Sequence, residues 1–314
     1  MNEIGKSAYL KKMLRALTKN SVLKRIAMNC FFPRLSDVSF LKLKFRLSMG
    51  YPLNLKNPVT YNEKLQWMKL FYRHPSHTMM VDKYAVRSHV AEKIGEEHLI
   101  PLLGVWDHED DIDFDSLPQQ FVLKCTHNSA LGLHICKDKS MLNTDKVKKE
   151  LRRGLDQDFY RQGREWPYKN VKRRIIAEQF MVDSSGTELK DYKFFCFDGK
   201  ARALFVASDR NRPGVEVKFD FFDMDWNRLP FTNGHPNSTK TLEKPACFDE
   251  MVRIAELLSQ GLPHVRVDLY DIMGQVFFGE LTFFHHSGIV PFVPADWDRV
   301  FGDWLTLPRV KLLC

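Results

Sequence analysis

The sequence lacks three features that mark membrane, secreted or zinc-binding proteins. It has no apolar run of about 18 residues, so we expect no transmembrane helix. Its first residues contain no continuous apolar segment, and we therefore expect no secretory signal. The six cysteines are scattered without a C-x-x-C pair, which argues against a zinc site or a disulfide framework and favours a reducing cytoplasm.

Acidic residues are scarce at the start of the chain. Residues 1–50 contain 11 lysines and arginines but only Glu3 and Asp37 as acids, a net charge of +9. The whole chain has a net charge of +8, so the remaining residues sum to −1. Apolar residues with helical spacing at positions 8–30 make this basic arm suited to an anionic partner, either a membrane surface or a charged polymer. A solvated helical face explains the charge equally well, and we expect no nucleic-acid partner.

The order of the predicted elements indicates an α+β protein. Thr60 and Glu63 have the spacing of a capping box, which predicts a helix that begins at Tyr61. Further helices are expected at residues 83–94, 144–163 and 248–260, and the tail after Ser287 is expected to be irregular. Helices first, followed by mostly antiparallel strands, are typical of an α+β architecture.

Residues 264–283 predict a β-hairpin, because two runs rich in β-branched and aromatic residues flank Gly274. Side chains alternate between the two faces of a strand, so each strand is expected to have an apolar and a polar face. The apolar faces are assigned Val265, Val267 and Leu269 on the first strand and Phe277, Leu281 and Phe283 on the second. The opposite faces are assigned Arg266, Asp268 and Tyr270, and Phe278, Glu280 and Thr282.

The two carboxylates of this hairpin indicate a cation site. Asp268 and Glu280 are expected on adjacent strands, where like charges repel unless a positive group lies between them. Mg²⁺ is held by one or two carboxylates together with substrate phosphates, and it matches this pair. Arg266 points the same way as Asp268 and can face a developing negative charge. The alternative is a plain antiparallel hairpin with a hydrated polar face.

Two further motifs concern anions and metals. Lys124 lies in a short apolar strand at 121–125, and a loop of small residues follows at 126–132. A strand lysine beside such a loop predicts a phosphate clamp, although a lysine at the hydrated end of a strand is the alternative. Asp223 and Asp225 form a D-x-D, the pattern that can hold Mn²⁺ on a sugar nucleotide, or else an ordinary acidic turn.

Seven stretches of the sequence together resemble one family. They are YNEKLQWMKL at 61–70, VDKYAVR at 81–87, FVLKC at 121–125, RIIAE at 174–178, DYKFFCF at 191–197, VRVDLY at 265–270 and FGELTF at 278–283. On these stretches the chain is similar to the ATP-grasp superfamily, and within it to the TupA-like (teichuronopeptide-biosynthesis) proteins of bacterial surface-polysaccharide gene clusters. The resemblance rests on the set, because no single stretch is specific.

The resemblance implies an ATP-grasp fold in which two α+β lobes clasp ATP. Lobe one would span about residues 81–180 and lobe two about 181–314, after a basic, mainly helical region at 1–80. By position, Lys83 and Lys124 would hold the triphosphate, and Glu178 to Met181 would meet adenine and ribose. Asp268 and Glu280, with Thr282, would hold Mg²⁺, and Arg266 would stabilise a tetrahedral intermediate. We also expect Ser129, Gly132, Gln179, Phe180 and Lys193 at the nucleotide, and Arg210, His286 and Ser287 at the substrate.

The chain departs from the family pattern in three places. Thr282 stands where most members have asparagine, and a hydroxyl is a poorer metal ligand. The phosphate loop at 128–132 has one glycine instead of several, which makes close backbone approach to phosphate harder. Residues 1–80 are basic and helical in pattern, unlike the α/β domain that usually precedes the grasp.

The resemblance implies an ATP-dependent ligase that phosphorylates a carboxylate and lets an amine displace the phosphate. The family setting implies an amino acid joined to a uronic-acid-containing glycan or lipid-linked glycan precursor, in the cytoplasm, with peripheral membrane contact through the basic arm. The alternatives are a carboxylate–thiol ligase, a glycosyltransferase that uses the D-x-D, a non-catalytic polymer-binding relative, and a phosphotransferase on the same fold. Fold alone does not choose between them.

Overall fold

The computed structural model describes residues 34–129, 131–183, 189–209 and 214–309. Within them, the chain begins with α1 (Asp37–Met49), α2 (Tyr61–Phe71), α3 (Ser76–Val81) and α4 (Val86–Ile94). The capping box is confirmed, since the Thr60 hydroxyl accepts from the Glu63 amide and the Glu63 carboxylate accepts from the Thr60 amide. Helix α4 begins later than expected, because the Asp82 carboxylate holds the amides of Tyr84 and Ala85 in a turn.

The first sheet is antiparallel and has the strand order β1-β4-β2-β3. Its strands are β1 (Leu102–Trp106), β2 (Phe121–Cys125), β3 (His134–Cys136) and β4 (Ile175–Gln179). Helix α5 (Thr144–Leu155) covers one face of the sheet with Val147 and Leu151. The single helix expected at 144–163 is wrong: residues 156–158 interrupt it, with Asp158 off helical geometry (φ −85°, ψ 85°), and α6 (Phe159–Gly163) follows.

The second sheet is also antiparallel and is built from the second half of the chain. Its first strands are β5 (Asp191–Phe197), β6 (Lys200–Ser208) and β7 (Lys218–Phe222), and β8 (Thr232–Asn233) lies outside it. Helix α7 (Phe248–Ser259) then packs on the sheet with Met251, Ile254 and Leu258. Strands β9 (His264–Ile272) and β10 (Gln275–Thr282) complete the order β10-β9-β5-β6-β7.

A β-bulge at Gly279 changes the hairpin that the sequence predicts. The register pairs Glu280 with Asp268 and then shifts, so that Phe278 pairs with Leu269. Phe278 is therefore 6% exposed and part of the core, and the predicted assignment of Phe277 and Phe278 to their faces is wrong. A Cβ on residue 279 would lie 3.0 Å from the Asp268 carbonyl oxygen, so a glycine permits this close pairing.

The tail after Ser287 is more regular than expected. It contains β11 (Phe292–Val293), which pairs with β8, and α8 (Asp296–Trp304). Helix α8 is fixed by long-range contacts: Phe301 is fully buried, and the Asp298 carboxylate accepts from the Asn62 amide at 2.9 Å. The expectation of an irregular tail is wrong because this segment becomes helical where it packs against α2.

The two sheets with their covering helices form an α+β fold, as the sequence predicts. Helix α1 packs through Phe40, Leu41 and Phe45, so this part of the basic N-terminal region belongs to the folded body. The helix expected at 8–30 lies outside the described residues. None of the helices that the structure describes combines the length and the apolar character needed to cross a membrane.

Candidate active site

Arg266 lies at the centre of a buried charge cluster on β9 and β10. Its Nε and Nη2 atoms donate to the two carboxylate oxygens of Asp268 at 2.6 and 2.7 Å. Nη2 also lies 3.1 Å from Glu280 Oε1 and 3.0 Å from the Thr282 hydroxyl. A guanidinium held at two points by one carboxylate has a fixed plane, so the cluster orients Arg266 rigidly.

Lys193 supplies a second cation to this cluster from the neighbouring strand. It lies opposite Asp268 in the register of β5 and β9, and its ammonium contacts Asp268 Oδ2 and, at 3.4 Å, Asp191. Asp268 is 0% exposed, so its charge depends on these partners. Removing one partner from such a buried group is costly, because the remaining charge is left without compensation.

Glu280 differs from Asp268 in being only partly enclosed. Its side chain is 36% exposed, and its Oε1 atom is held by Arg266 and, at 3.2 Å, by the Thr282 hydroxyl. Burial acts to raise the pKa of the Glu280 carboxyl, but the charges of Lys83, Lys193 and Arg266 outweigh it and lower the pKa to about 2. Glu280 is therefore an anion that faces open space.

A first cavity of about 240 Å³ lies between the two sheets. Four lysines and four acids line it, together with apolar side chains from β2, β3 and the segment after β4. With one exception, the residues expected at a nucleotide line this cavity: Lys83, Lys124, Ser129, Glu178, Gln179, Phe180, Met181 and Lys193.

Gly132 is the exception, and it packs behind the loop. Its φ is +75°, and a Cβ there would lie 2.6 Å from Cys125 Sγ and 3.1 Å from the Gly154 Cα. The absence of a side chain at this position therefore allows the loop to pack closely against α5. The structure does not bring Gly132 into the cavity lining.

The two lysines of the expected phosphate clamp have protein partners. The Lys83 ammonium donates to the Asn128 carbonyl oxygen at 2.5 Å, which ties it to the loop after β2. Burial lowers the pKa of Lys83, and the charge of Glu280 opposes this effect. Lys124 forms an ion pair of 2.5 Å with Glu178 on the adjacent strand, where Arg87 also lies 3.5 Å from the same carboxylate. The structure therefore brings both lysines to one cavity.

A second cavity of about 390 Å³ adjoins the first. The two cavities share Ser129, Lys193 and Glu280, and Arg266 lines the second one. The expected substrate residues His286 and Ser287 also line the second cavity. Both have left-handed backbone angles, with φ of +47° and +55°. Such angles persist in residues other than glycine when surrounding contacts impose them, and they are common at functional sites.

Contacts with α2 impose this backbone at Ser287. The Lys69 ammonium donates to the Ser287 carbonyl oxygen and to its hydroxyl, both at 2.8 Å. The Gln66 side-chain amide donates to the carbonyl oxygens of Ser287 and Gly288 at 2.9 and 2.7 Å. Helix α2 therefore holds the turn that carries His286 and Ser287 into the cavity.

His285 and Asn233 belong to the site, and sequence reasoning missed them. His285 Nδ1 lies 2.9 Å from Arg266 Nη1, and a guanidinium only donates, so Nδ1 accepts. His285 Nε2 then carries the proton and donates to Asn233 Oδ1 at 2.9 Å. Burial lowers the pKa of His285 well below its ordinary range, so the ring is neutral. The 52 residues that separate the pair in sequence leave no local signal.

The remaining expectations concern Arg210 and the D-x-D. Arg210 lies outside the described residues. Asp223 Oδ1 accepts from the amides of Asp225 and Asn227 at 3.0 and 2.8 Å, and Oδ2 accepts from the Asn227 side chain at 3.0 Å. Neither aspartate lines the two cavities described above. This geometry favours the acidic turn over a sugar-nucleotide site.

A comparison of the sequence with protein families identifies the chain. The model described as TupA-like ATP-grasp matches residues 63–306, which is well over half of the 314 residues. The chain belongs to the TupA-like ATP-grasp family. The match includes β9, β10, the first cavity and all of the second cavity except Lys44 of this ATP-grasp protein, whereas no curated protein sequence matches it.

Solved structures similar to this ATP-grasp protein include three bacterial proteins. D-alanine–D-alanine ligase from Bacillus anthracis, complexed with ATP, has a TM-score of 0.39 and 13% identity, covering 65% of this chain and 54% of that one. L-amino acid ligase from Bacillus licheniformis has a TM-score of 0.43 and 12% identity, covering 81% of this chain and 55% of that one. A RimK domain ATP-grasp protein from Sphaerobacter thermophilus has a TM-score of 0.40 and 11% identity, covering 80% of this chain and 72% of that one. This chain spans just over half the length of the first two, and similarity at this level assigns no activity to it.

The first cavity has the composition that ATP requires. Lys83, Lys124 and Lys193 supply positive charge for phosphates, and Ile100, Val122, Ile135 and Met181 supply apolar walls for a flat base. A ligand that combines an apolar base with a polyanionic chain suits this mixed lining. The residues of this ATP-grasp protein therefore fit a nucleoside triphosphate.

The hairpin also fits the metal that the family implies. Glu280 and the Thr282 hydroxyl offer the hard oxygen ligands that Mg²⁺ prefers. Asp268 lies opposite Glu280 in the register, and Arg266 and Lys193 hold its carboxylate oxygens. The described residues contain no cluster of three acidic, histidine or cysteine side chains that could form a complete metal cage. Mg²⁺ needs no such cage when phosphates supply ligands, so Glu280, with a side chain open to the cavity, suits it.

Proposed function

We propose that the protein is an ATP-dependent ligase that activates a carboxylate as an acyl phosphate and joins it to an amine. The observation that supports this proposal is the adjacency of the two cavities at Lys193 and Glu280, with Arg266 in the lining of the second. A nucleotide in the first cavity and a carboxylate in the second would meet at these charged groups. Phosphoryl transfer between two substrates needs this kind of shared charged boundary.

Each charged side chain has a role in this proposal. Lys83, Lys124 and Lys193 hold phosphate oxygens and offset the charge that moves during transfer. Asp268 and Glu280 would hold Mg²⁺, which neutralises phosphate charge when bound. Arg266 stabilises the oxyanion that forms when the amine attacks, and its pairing with Asp268 fixes its direction.

We further propose that the joined groups are an amino acid and a uronic-acid-containing surface-polysaccharide or lipid-linked precursor. The second cavity supports this idea because it combines cations with aromatic rings from Phe159, Tyr168 and Phe219. Aromatic faces suit sugar rings, and cations suit a uronic carboxylate. Peripheral contact with the inner face of the membrane, through the basic residues 1–33, would bring the protein to a lipid-linked precursor.

Product analysis tests the proposed function. The protein is incubated with Mg·ATP, D-glucuronate or UDP-glucuronate, and a mixture of amino acids, and the products are separated by mass spectrometry. The proposal requires ADP, phosphate and an amide, formed only when all three substrates are present. Release of UDP with transfer of the sugar would instead identify a glycosyltransferase, and a phosphorylated sugar that resists amines would identify a phosphotransferase.

A further inference from the structure

Glu165 is a third carboxylate at the site, and the ATP chemistry above does not use it. It precedes the 3₁₀ turn Trp166–Asn170, lines the second cavity and is 7% exposed. The Ser287 hydroxyl lies near its carboxylate and acts to lower the pKa of that group. In the described part of the chain, no lysine or arginine forms a direct ion pair with it. A buried carboxylate at a cavity wall without a direct cationic partner is suited to a cationic ligand.

Four charged or polar groups surround Glu165 from different elements. They are the Ser287 hydroxyl, the Lys69 ammonium on α2 that donates to this hydroxyl, Lys44 on α1 and Arg266 on β9. Burial raises the pKa of the Glu165 carboxyl, while the charges of Lys69 and Lys44 oppose this rise. A carboxylate in this setting takes up a proton more readily than an exposed one.

Lys44 provides an opposite charge in the same cavity. Its ammonium donates to the Gln162 carbonyl oxygen, and in the described residues it forms no direct ion pair with a carboxylate. Burial lowers the pKa of Lys44, and the charge of Glu165 opposes the effect, so the two groups interact through space. The second cavity therefore presents a separate cation and anion, both available to a ligand.

We propose that Glu165 binds the acceptor amine and takes its proton, and that Lys44 binds the carboxylate of the same acceptor. The acceptor recognised by this pair is a zwitterionic α-amino acid. The inference rests on the proposed ligase function, and it assigns the acceptor to the part of the second cavity that Lys44 of α1 and Glu165 line.

The assigned step balances. The ammonium of the amino acid transfers one proton to the Glu165 carboxylate and becomes a neutral amine. The nitrogen lone pair attacks the acyl carbon, the C–N bond forms, and the C–O bond to phosphate breaks. Phosphate leaves with that electron pair and takes the second proton from nitrogen, so the products are an amide, hydrogen phosphate and a protonated Glu165.

Binding of amino acids to the full-length protein tests the assignment. The protein is saturated with Mg²⁺ and a non-hydrolysable ATP analogue and titrated calorimetrically with the common L- and D-α-amino acids. Amino acids that bind are compared with their amides and their N-acetyl derivatives. The variants are Glu165→Gln, Glu165→Asp and Lys44→Met, and Glu92→Gln on the exposed face of α4 is the control.

The account requires at least one amino acid to bind wild type and the control equally. The amide and the N-acetyl derivative of that amino acid should bind the wild-type protein about tenfold or more weakly. The amino acid itself should bind Glu165→Gln and Lys44→Met more weakly by a similar factor, because each change removes one charge-assisted hydrogen bond. Nucleotide affinity should stay at the wild-type value in every variant, which a merely structural defect would not allow. If Glu165→Gln does not fold, the amino-acid affinities of Glu165→Asp and Lys44→Met test the assignment instead. Glu165→Asp keeps a carboxylate, so it should retain more affinity for the amino acid than Lys44→Met does.

Two results would overturn the assignment. Unchanged amino-acid affinity in the Glu165 and Lys44 variants would remove both residues from recognition. A wild-type protein that binds the nucleotide analogue but no amino acid would refute the zwitterionic acceptor and leave the ATP site standing. Failure to bind any nucleotide would instead refute the proposed function itself.

Discussion

Arg266 and Asp268, two residues apart on β9, are joined by two hydrogen bonds of 2.6 and 2.7 Å. The pair connects the side chain expected at the oxyanion with a side chain expected at the metal. Lys193 reaches Asp268 from β5, so two cations compensate one buried carboxylate. Changes to Arg266 should therefore affect both folding and catalysis.

Replacing Arg266 by alanine should lower the free energy of unfolding by about 3 kcal/mol, because Asp268 keeps only Lys193 as its close cationic partner. Urea denaturation measures this loss. Nucleotide affinity should stay near the wild-type value, while turnover falls on the order of 10²-fold or more. The control is Arg253→Ala, which removes an exposed pair with Glu250 and should change none of these quantities measurably. An Arg266→Ala protein with wild-type stability and turnover would contradict both the structural and the catalytic role of Arg266.

Replacing Lys124 by alanine should weaken ATP binding about tenfold or more, since one charge-assisted contact to phosphate is lost. Calorimetric titration with Mg·ATP measures the change. Lys200→Ala is the matched control, because Lys200 pairs with Glu256 on the surface and lies outside both cavities. Equal affinities of the two variants would exclude the phosphate-clamp interpretation.

Replacing Glu280 by glutamine should reduce turnover on the order of 10²-fold or more, because the carboxylate that suits Mg²⁺ is lost. Asp223→Asn should leave turnover nearly unchanged, because Asp223 only holds the turn after β7. Both variants are compared in one assay of ADP release. The reverse outcome, with Asp223 essential and Glu280 dispensable, would assign the chemistry to a sugar-nucleotide enzyme.

His264 should make the protein less stable in mild acid. Its Nδ1 atom lies 2.8 Å from the Cys196 carbonyl oxygen and its Nε2 atom 2.8 Å from the Tyr61 hydroxyl, so the buried ring is neutral. Burial lowers the pKa of His264 from 6.5 to about 3. The unfolded chain therefore binds a proton as the pH falls below 6.5, while the folded chain does so only near 3. Stability from this residue is present above 6.5 and is lost progressively between these two values.

Urea denaturation at neutral and at mildly acidic pH tests this linkage. The loss of unfolding free energy between the two conditions should be smaller in His264→Gln than in wild type. Tyr61→Phe keeps the histidine, so it should be less stable at each pH but retain the wild-type pH dependence. Equal pH dependence in wild type and His264→Gln would contradict the prediction.

Residues 1–33 should promote association with anionic membranes through their basic charge. Co-sedimentation with phosphatidylserine-containing liposomes at low and high salt measures the association, which should weaken at high salt because surface charges are screened. Deleting residues 1–30 should abolish it. A deletion variant that still binds as wild type does would show that the arm has no such role.

The polar face of the hairpin could be predicted from the sequence because it follows from local alternation. Arg266, Asp268 and Glu280 fall on one face through the two-residue period of a strand, and the register confirms their proximity. The bulge could not be predicted, since it depends on how closely Gly279 approaches the neighbouring strand. It pairs Phe278 with Leu269 in the main hydrophobic cluster and Phe277 with Tyr270, where Phe277 is buried but outside that cluster.

Long-range contacts account for the parts of the site that the sequence did not reveal. His285 meets Asn233, and Lys69 meets Ser287, only after separate elements have packed together. Lys44 lies in a region whose charge pattern indicates an arm, yet α1 places it at the second cavity. No local period or motif carries that information.

The central claim is that a carboxylate becomes an acyl phosphate at the boundary of the two cavities. It is tested most directly with ¹⁸O in the carboxylate of the substrate that supports ADP release, followed by mass spectrometry of the released phosphate. Attack of that carboxylate on ATP, followed by displacement by an amine, predicts one ¹⁸O atom in each phosphate formed. Phosphate without ¹⁸O, released together with amide or with ADP alone, would contradict carboxylate activation by this protein.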